Sequence, residues 1–184
     1  MKTILQTICQ EIETVISRIK EKEALALAEE LKKAKRIFVY GEGRSGLIGK
    51  AFAMRLMHGG FRVFVVGETI TPGIGKDDLL VAISGSGSTS MIYHFAVKAK
   101  EQGAKVFLVT TNRESKIAAI SNNVLVIPAA TKYRRAGEPA TIQPLGNQFD
   151  QSVHLVLDGI IIHSLQENNN DLHEEMRKHH TNLE

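Results

Sequence analysis

Two short segments hold the residue types that bind an anion. Gly41-Glu42-Gly43-Arg44-Ser45-Gly46 reads G-x-G-x-x-G. Placed after a strand and opening a helix, it offers backbone amides and a helix N-terminus to a phosphate. Ser84-Gly85-Ser86-Gly87-Ser88-Thr89-Ser90 sets five hydroxyls in seven residues, with glycines that let the backbone approach a ligand. Such a nest of N–H and O–H donors can wrap one phosphate without a metal. The simpler reading is a flexible Gly/Ser turn with a helix cap. Glu68 follows the first segment by roughly 20 residues, the spacing of a dinucleotide site's ribose-binding acid, so that rival stays open. Asp150 falls in the first turn of an expected helix, where a carboxylate is either a proton-transfer group or simply favoured by the helix dipole. His179 and His180 are adjacent and His173 lies too far along the helix to complete a tight metal cluster, so no metal site is expected.

These residues need elements to hold them. Apolar, β-branched runs at 37–40, 63–66, 79–83, 106–109 and 124–127 read as five strands. Their apolarity is continuous rather than alternating, the mark of a parallel sheet covered on both faces. Between them, 45–58, 89–102 and a short stretch at 115–121 read as helices, giving right-handed βαβ units. Amphipathic helices are expected at 3–19 and 22–35, and further helices at 148–165 and 171–180, with Asn168-Asn169-Asn170 as a turn between the last two. The apolar stripe from Ile4 to Ile19 should pack on the core or on a partner subunit. The stretch 128–147 has Pro128, Pro139 and Pro144 and no regular period, and a loop of that length is usually functional. Its Arg134 and Arg135 read as solvated or intersubunit groups, and Arg55 as a structural ion-pair partner.

The expected architecture is a three-layer αβα sandwich on a five-stranded parallel sheet in the flavodoxin-like order 2-1-3-4-5. In that order strands one and three are neighbours at the topological switch point, so both loops meet where open α/β sheets bind ligands. Residues 1–184 are expected to form one domain: N-terminal helices at 1–35, a βαβ core at 36–127, a long loop at 128–147 and C-terminal helices with a tail at 148–184.

Hydrophobic residues make up 43% and charged residues 23% of the 184, which excludes disordered and collagen-like chains. A net charge of +3 with basic residues scattered among acids does not point to nucleic acid. The single cysteine, Cys9, excludes a disulfide framework and fits a reducing cytoplasm. Residues 1–35 carry lysines and glutamates throughout, with no export signal, and no apolar run approaches the roughly 20 residues of a membrane span. A cytoplasmic protein that does not engage membranes is expected.

With Ala51-Phe52-Ala53-Met54-Arg55-Leu56, the two loops resemble the sugar isomerase (SIS) domain family, and more closely the 6-phospho-3-hexuloisomerases within it. The resemblance runs nearly end to end through Met57-His58, Gly67-Glu68-Thr69 with Thr71-Pro72, Gln143-Pro144-Leu145-Gly146 and His180-Thr181-Asn182-Leu183-Glu184. It implies interconversion of D-arabino-hex-3-ulose 6-phosphate and D-fructose 6-phosphate, in the ribulose monophosphate route of formaldehyde fixation or detoxification. It also implies a sugar phosphate as the bound partner, no cofactor, and a homo-oligomer, commonly a tetramer. The implied substrate-binding residues are Gly43, Arg44, Ser45, Ser84, Gly85, Ser86, Gly87, Ser88 and Thr89. The implied base is Asp150, with His180 and Glu68 as further catalytic candidates. Two positions depart from the family: Asp150 stands where a glutamate is usual, and Ser88 where a glutamate is frequent. Rival readings are a non-catalytic sugar-phosphate binder, an isomerase of another sugar phosphate, and a dinucleotide oxidoreductase. The hydroxyl nest and the lack of a second substrate domain count against the last.

Overall fold

The computed structural model describes residues 1–166 and 172–183. In chain order the elements are α1 (Lys2–Ile16), α2 (Glu21–Lys33), β1 (Arg36–Gly41), α3 (Gly43–His58), β2 (Val63–Val65) and β3 (Asp78–Ile83). There follow α4 (Ser90–Glu101), β4 (Lys105–Thr110), β5 (Asn123–Val126), α5 (Asn147–Gln166) and α6 (Leu172–Lys178). The five strands form one sheet in the order β2-β1-β3-β4-β5, and every pairing is parallel. This is the expected order, so the β1 and β3 ends lie side by side, with Gly41 paired to Ile83.

The continuous apolarity of the strands has its cause in the layers. Alternate residues Ile37, Val39, Leu79, Val81, Phe107 and Val109 enter one buried cluster with α1, α2, α3 and α5. The intervening Phe38, Leu80, Ala82, Val106 and Leu108 enter a second cluster beneath α4. Residues of β3 are buried along their whole length because both faces are covered. Each fully buried large side chain contributes about 1.5–3 kcal/mol relative to exposure. Leu27 and Leu31 of α2 and Val153, Leu157 and Ile161 of α5 supply much of the first cluster's helical side.

Several boundaries differ from the sequence expectation. The first helix stops at Ile16, three residues early, because Arg18 and Ile19 donate to Val15 and Ile16 carbonyls and tighten the chain into its turn towards α2. Ile12 and Val15 are buried, whereas Ile4 and Leu5 stay exposed, so only the second half of the stripe meets the core. The expected helix at 115–121 is one 3₁₀ turn, Ala118–Ile120, set by the Ser115 and Ile117 carbonyls taking short-range bonds. Asn168, Asn169, Asn170 and Asp171 lie outside the described residues, as does Glu184 of the C-terminal motif. No described helix is long and apolar enough to cross a membrane.

Candidate active site

The site begins where β1 passes into α3. A Cβ on Gly46 would sit 2.6 Å from the Gly41 carbonyl oxygen, and one on Gly41 would sit 2.9 Å from the Ser45 carbonyl oxygen. Only glycine at both positions lets strand end and helix start approach this closely. The turn delivers Arg44 and Ser45 to the first turn of α3, whose N-terminus has no side-chain cap.

α5 arrives at the same point with Asp150 in its first turn. Arg44 Nε donates to Asp150 Oδ2 at 3.0 Å, and Ser45 Oγ donates to Oδ1 at 3.2 Å. The Asp150 side chain is 7% exposed while that of Arg44 is 57% exposed. The guanidinium therefore touches the carboxylate along one edge and keeps the rest of its fork open for a further anion. Burial pushes the Asp150 carboxyl above its ordinary pKa, against the opposing pull of Arg44 and Ser45. A carboxylate raised in this way is a stronger base once ionised, as a proton shuttle on carbon needs.

The second loop folds back on itself. Ser84 Oγ lies 3.1 Å from Thr89 Oγ1, and the Gly87 amide donates to Ser84 Oγ at 3.2 Å. Thr111 Oγ1 holds the Gly85 carbonyl at 2.8 Å, tying the loop to the end of β4. Gly85 also lies against the Phe149 ring, 3.3 Å from where its Cβ would stand. The loop is thus in contact with the residue before Asp150. Ser86 and Ser88 interact with each other, the Ser88 amide donating to Ser86 Oγ at 3.3 Å. Thr89 gives α4 no side-chain cap, so the first-turn amides remain available beside this loop. The result is a cluster of hydroxyls and amides packed, through Gly85, on the residue before a buried carboxylate.

Gly87 is fixed by its surroundings. Its φ is +65°, and a Cβ there would fall 2.0 Å from Ser115 Oγ and 2.4 Å from Ser115 Cβ. Gly87→Ala combines overpacking of about 1–3 kcal/mol with a left-handed backbone penalty of about 1–2 kcal/mol. A melting temperature lower by several degrees is the expected outcome, at about 2–4 °C per kcal/mol for a chain of this size. Partial recovery in Gly87→Ala/Ser115→Gly identifies the clash as the cause. An unchanged melting temperature in the single variant would remove it.

The other two candidate catalytic residues do not join this centre within the chain. Glu68 lies beyond the end of β2, exposed, with its carboxylate 2.6 Å from Lys50 Nζ. It lines a cleft of about 160 Å³ with Tyr40, Gly41, Gly46, Gly49 and Lys50, next to the first loop but outside the Asp150 contacts. His180 stacks on His58 at 5.1 Å, at the C-terminal end of α3. His58 lies thirteen positions after Ser45 in α3, about 20 Å of helix. His179 Nδ1 lies 2.9 Å from the His58 carbonyl, completing the contact of the C-terminal segment with α3. Burial, then His180, Arg55 and His179, push the His58 imidazole below its ordinary pKa.

Two arginines refine the sequence expectation. Arg134 is exposed, as a solvated group would be, but its guanidinium also donates to the carbonyls of Thr131, Gln143 and Leu145 and ties the long loop to itself. Arg55 is exposed and, among the described residues, forms no ion pair; it faces His58 instead. Sequence reasoning missed Glu11, Thr110, Thr111 and Ser115, whose loop contacts join distant segments. Among the described residues no group of three or more His, Cys, Asp or Glu side chains is placed to hold a metal ion.

The SIS domain profile matches residues 30–143, from α2 to the Gln143 loop. The chain belongs to the SIS domain family. Among its SIS relatives, the 3-hexulose-6-phosphate isomerase of Bacillus subtilis is 39% identical over 177 residues, covering 96% of this chain and 95% of that one. The protein of the same name from Mycobacterium gastri is 37% identical over 180 residues, covering 98% and 89%. A crystal structure from Methanococcus jannaschii, described as inferring 3-hexulose-6-phosphate isomerase function, superposes with a TM-score of 0.84 at 32% identity, covering 98% of both chains. The SIS match ends at Gln143, so α5 and its Asp150 lie beyond the shared profile although the longer relatives span them.

Proposed function

We propose that this chain is a metal-independent isomerase of 3-hexulose 6-phosphate, interconverting D-arabino-hex-3-ulose 6-phosphate and D-fructose 6-phosphate as one SIS domain. The observation that carries the reading is the buried Asp150 carboxylate, held by Arg44 and Ser45 and joined through Phe149 to the Ser84–Thr89 donor loop. The phosphate sits on the amides and hydroxyls of Ser84, Gly85, Ser86, Gly87, Ser88 and Thr89, and the first-turn amides of α4 add the helix dipole. Asp150 takes the proton from C2. The C2–H electron pair becomes the C2–C3 double bond, and the C3 carbonyl pair moves onto its oxygen as an enediolate. Arg44 balances that charge, with the Gly43 amide and the Ser45 hydroxyl at the same edge. Asp150, whose proton exchanges with solvent in the enediolate state, delivers a proton to C3, while the C2 hydroxyl proton passes to the C3 oxygen, leaving a carbonyl at C2 and a hydroxyl at C3. Asp150 is neutral only while it carries the transferred proton, which its raised pKa accommodates.

The names of the Bacillus subtilis and Mycobacterium gastri relatives and the site chemistry support the same substrate pair. The reading extends to a homo-oligomer, a tetramer, in the cytoplasm; exposed Ile4, Leu5, Leu155 and Ile162 supply apolar surface for assembly. The test is direct: purified protein with hexulose 6-phosphate in D2O, without cofactor, followed by a fructose 6-phosphate assay and NMR. Fructose 6-phosphate carrying solvent deuterium at C3 is expected. Tight binding of fructose 6-phosphate without turnover would reduce the protein to a sugar-phosphate binder, and turnover of a different sugar phosphate would replace the substrate.

A further inference from the structure

α1 contributes one carboxylate to the loop that leads into α5. Glu11 Oε2 accepts from Thr141 Oγ1 at 2.5 Å and from Gln143 Nε2 at 2.9 Å, and Oε1 accepts from the Ile142 amide at 2.7 Å. Three consecutive residues of an otherwise irregular loop therefore converge on one side chain 130 or more positions away. Gln143 is 2% exposed, and its Oε1 has no hydrogen-bond partner. A buried amide that leaves one acceptor unmet is oriented by its other bond, here the one to Glu11. From the opposite side Arg134 grips the Gln143 and Leu145 carbonyls, and Leu145 is held at a φ of +53°. Only Pro144, Leu145 and Gly146 separate this clamp from the start of α5. The Asn147 amide then donates to Pro144, and the Asp150 amide donates to Gly146.

We infer that Glu11 is a positioning residue for catalysis, acting through Thr141, Ile142 and Gln143 to set the first turn of α5 and hence the Asp150 carboxylate. The inference rests on Asp150 being the base proposed above. A carboxylate suits this role because it takes all three donors; a glutamine in its place turns an NH2 towards at least one of them. Displacement of a reacting group by about 1 Å costs around 100-fold in rate.

Glu11→Gln is expected to lower kcat about 10- to 100-fold with the Kd for fructose 6-phosphate near wild type. The pH midpoint of kcat should move with it, since burial and the Arg44 bond set that midpoint. In Glu11→Gln/Gln143→Glu the donor and acceptor of this pair exchange places, and much of the lost kcat should return. Thr141→Val removes a single donor, and the same midpoint shift with a smaller kcat loss is expected should Glu11→Gln fold poorly. Wild-type kcat and midpoint in folded Glu11→Gln or Thr141→Val overturn the inference. So does a joint loss of kcat and binding that tracks the unfolded fraction. Full turnover by Asp150→Asn would instead overturn the reading on which it rests.

Discussion

Asp150→Asn is expected to lower kcat by about 10²–10⁴-fold, the usual contribution of a general base, while fructose 6-phosphate still binds. The amide keeps the shape of the side chain and its Ser45 and Arg44 neighbours but has no basic oxygen to accept a proton from carbon. The loss should fall on kcat rather than KM. Stability should move the other way. Burial raises the Asp150 pKa above its unfolded value of 3.8. A raised carboxyl stabilises the fold fully below the unfolded pKa and loses that contribution as pH rises through the folded pKa. At neutral pH the ionised carboxylate is therefore a net cost that the asparagine removes. A melting temperature equal to or above wild type is expected at pH 7, with the difference vanishing in acid. The wild-type kcat should rise with pH through the same elevated pKa. Substantial turnover by Asp150→Asn would leave Asp150 as a helix-terminal carboxylate and direct attention to Glu68.

The second large effect concerns phosphate. Ser84→Ala combined with Ser86→Ala is expected to weaken fructose 6-phosphate binding by about 10- to 100-fold, the lost Ser86 donor to a charged group contributing about 1.5–3 kcal/mol and the loosened loop adding to it. The two serines act differently. Ser84 is 2% exposed and spends its hydroxyl on Thr89 and the Gly87 amide, so its loss loosens the loop. Ser86 is only half-buried, and in the proposed reading it is the direct donor. Ser86→Ala alone should raise Kd without changing loop protection, whereas Ser84→Ala should also speed amide exchange at Gly87. Calorimetry with fructose 6-phosphate and hydrogen exchange separate them. Unchanged affinity in the double variant would place the phosphate elsewhere.

What the sequence made legible was local. The runs at 37–40 and 79–83 revealed strands because burial on two faces leaves an unbroken apolar string, and both candidate loops stood out by their glycine and hydroxyl spacing. The order 2-1-3-4-5 places those loops side by side at the ends of β1 and β3. What stayed hidden was non-local. The Arg44 contact to Asp150 spans 106 residues, and that of Glu11 to Thr141 spans 130. Neither leaves a periodic trace, and the second ends in a loop without regular structure. His180 shows the same limit from the other side: its motif is recognisable, yet its ring stacks on His58 at the opposite end of α3 from Ser45.

α5 carries two duties on one rod. Phe149, Val153, Leu157, Ile160, Ile161 and Leu165 complete the larger core cluster, and Asp150 stands between the first two of them. All five strands are synthesised before this helix emerges, so a growing chain possesses both glycine-rich loops while its core is still open and Asp150, the proposed base, is absent. Docking α5 closes the core and installs the carboxylate in a single event. A chain truncated before residue 147 lacks both the α5 side of the core and the proposed base, so it is expected to fold poorly and to show no turnover.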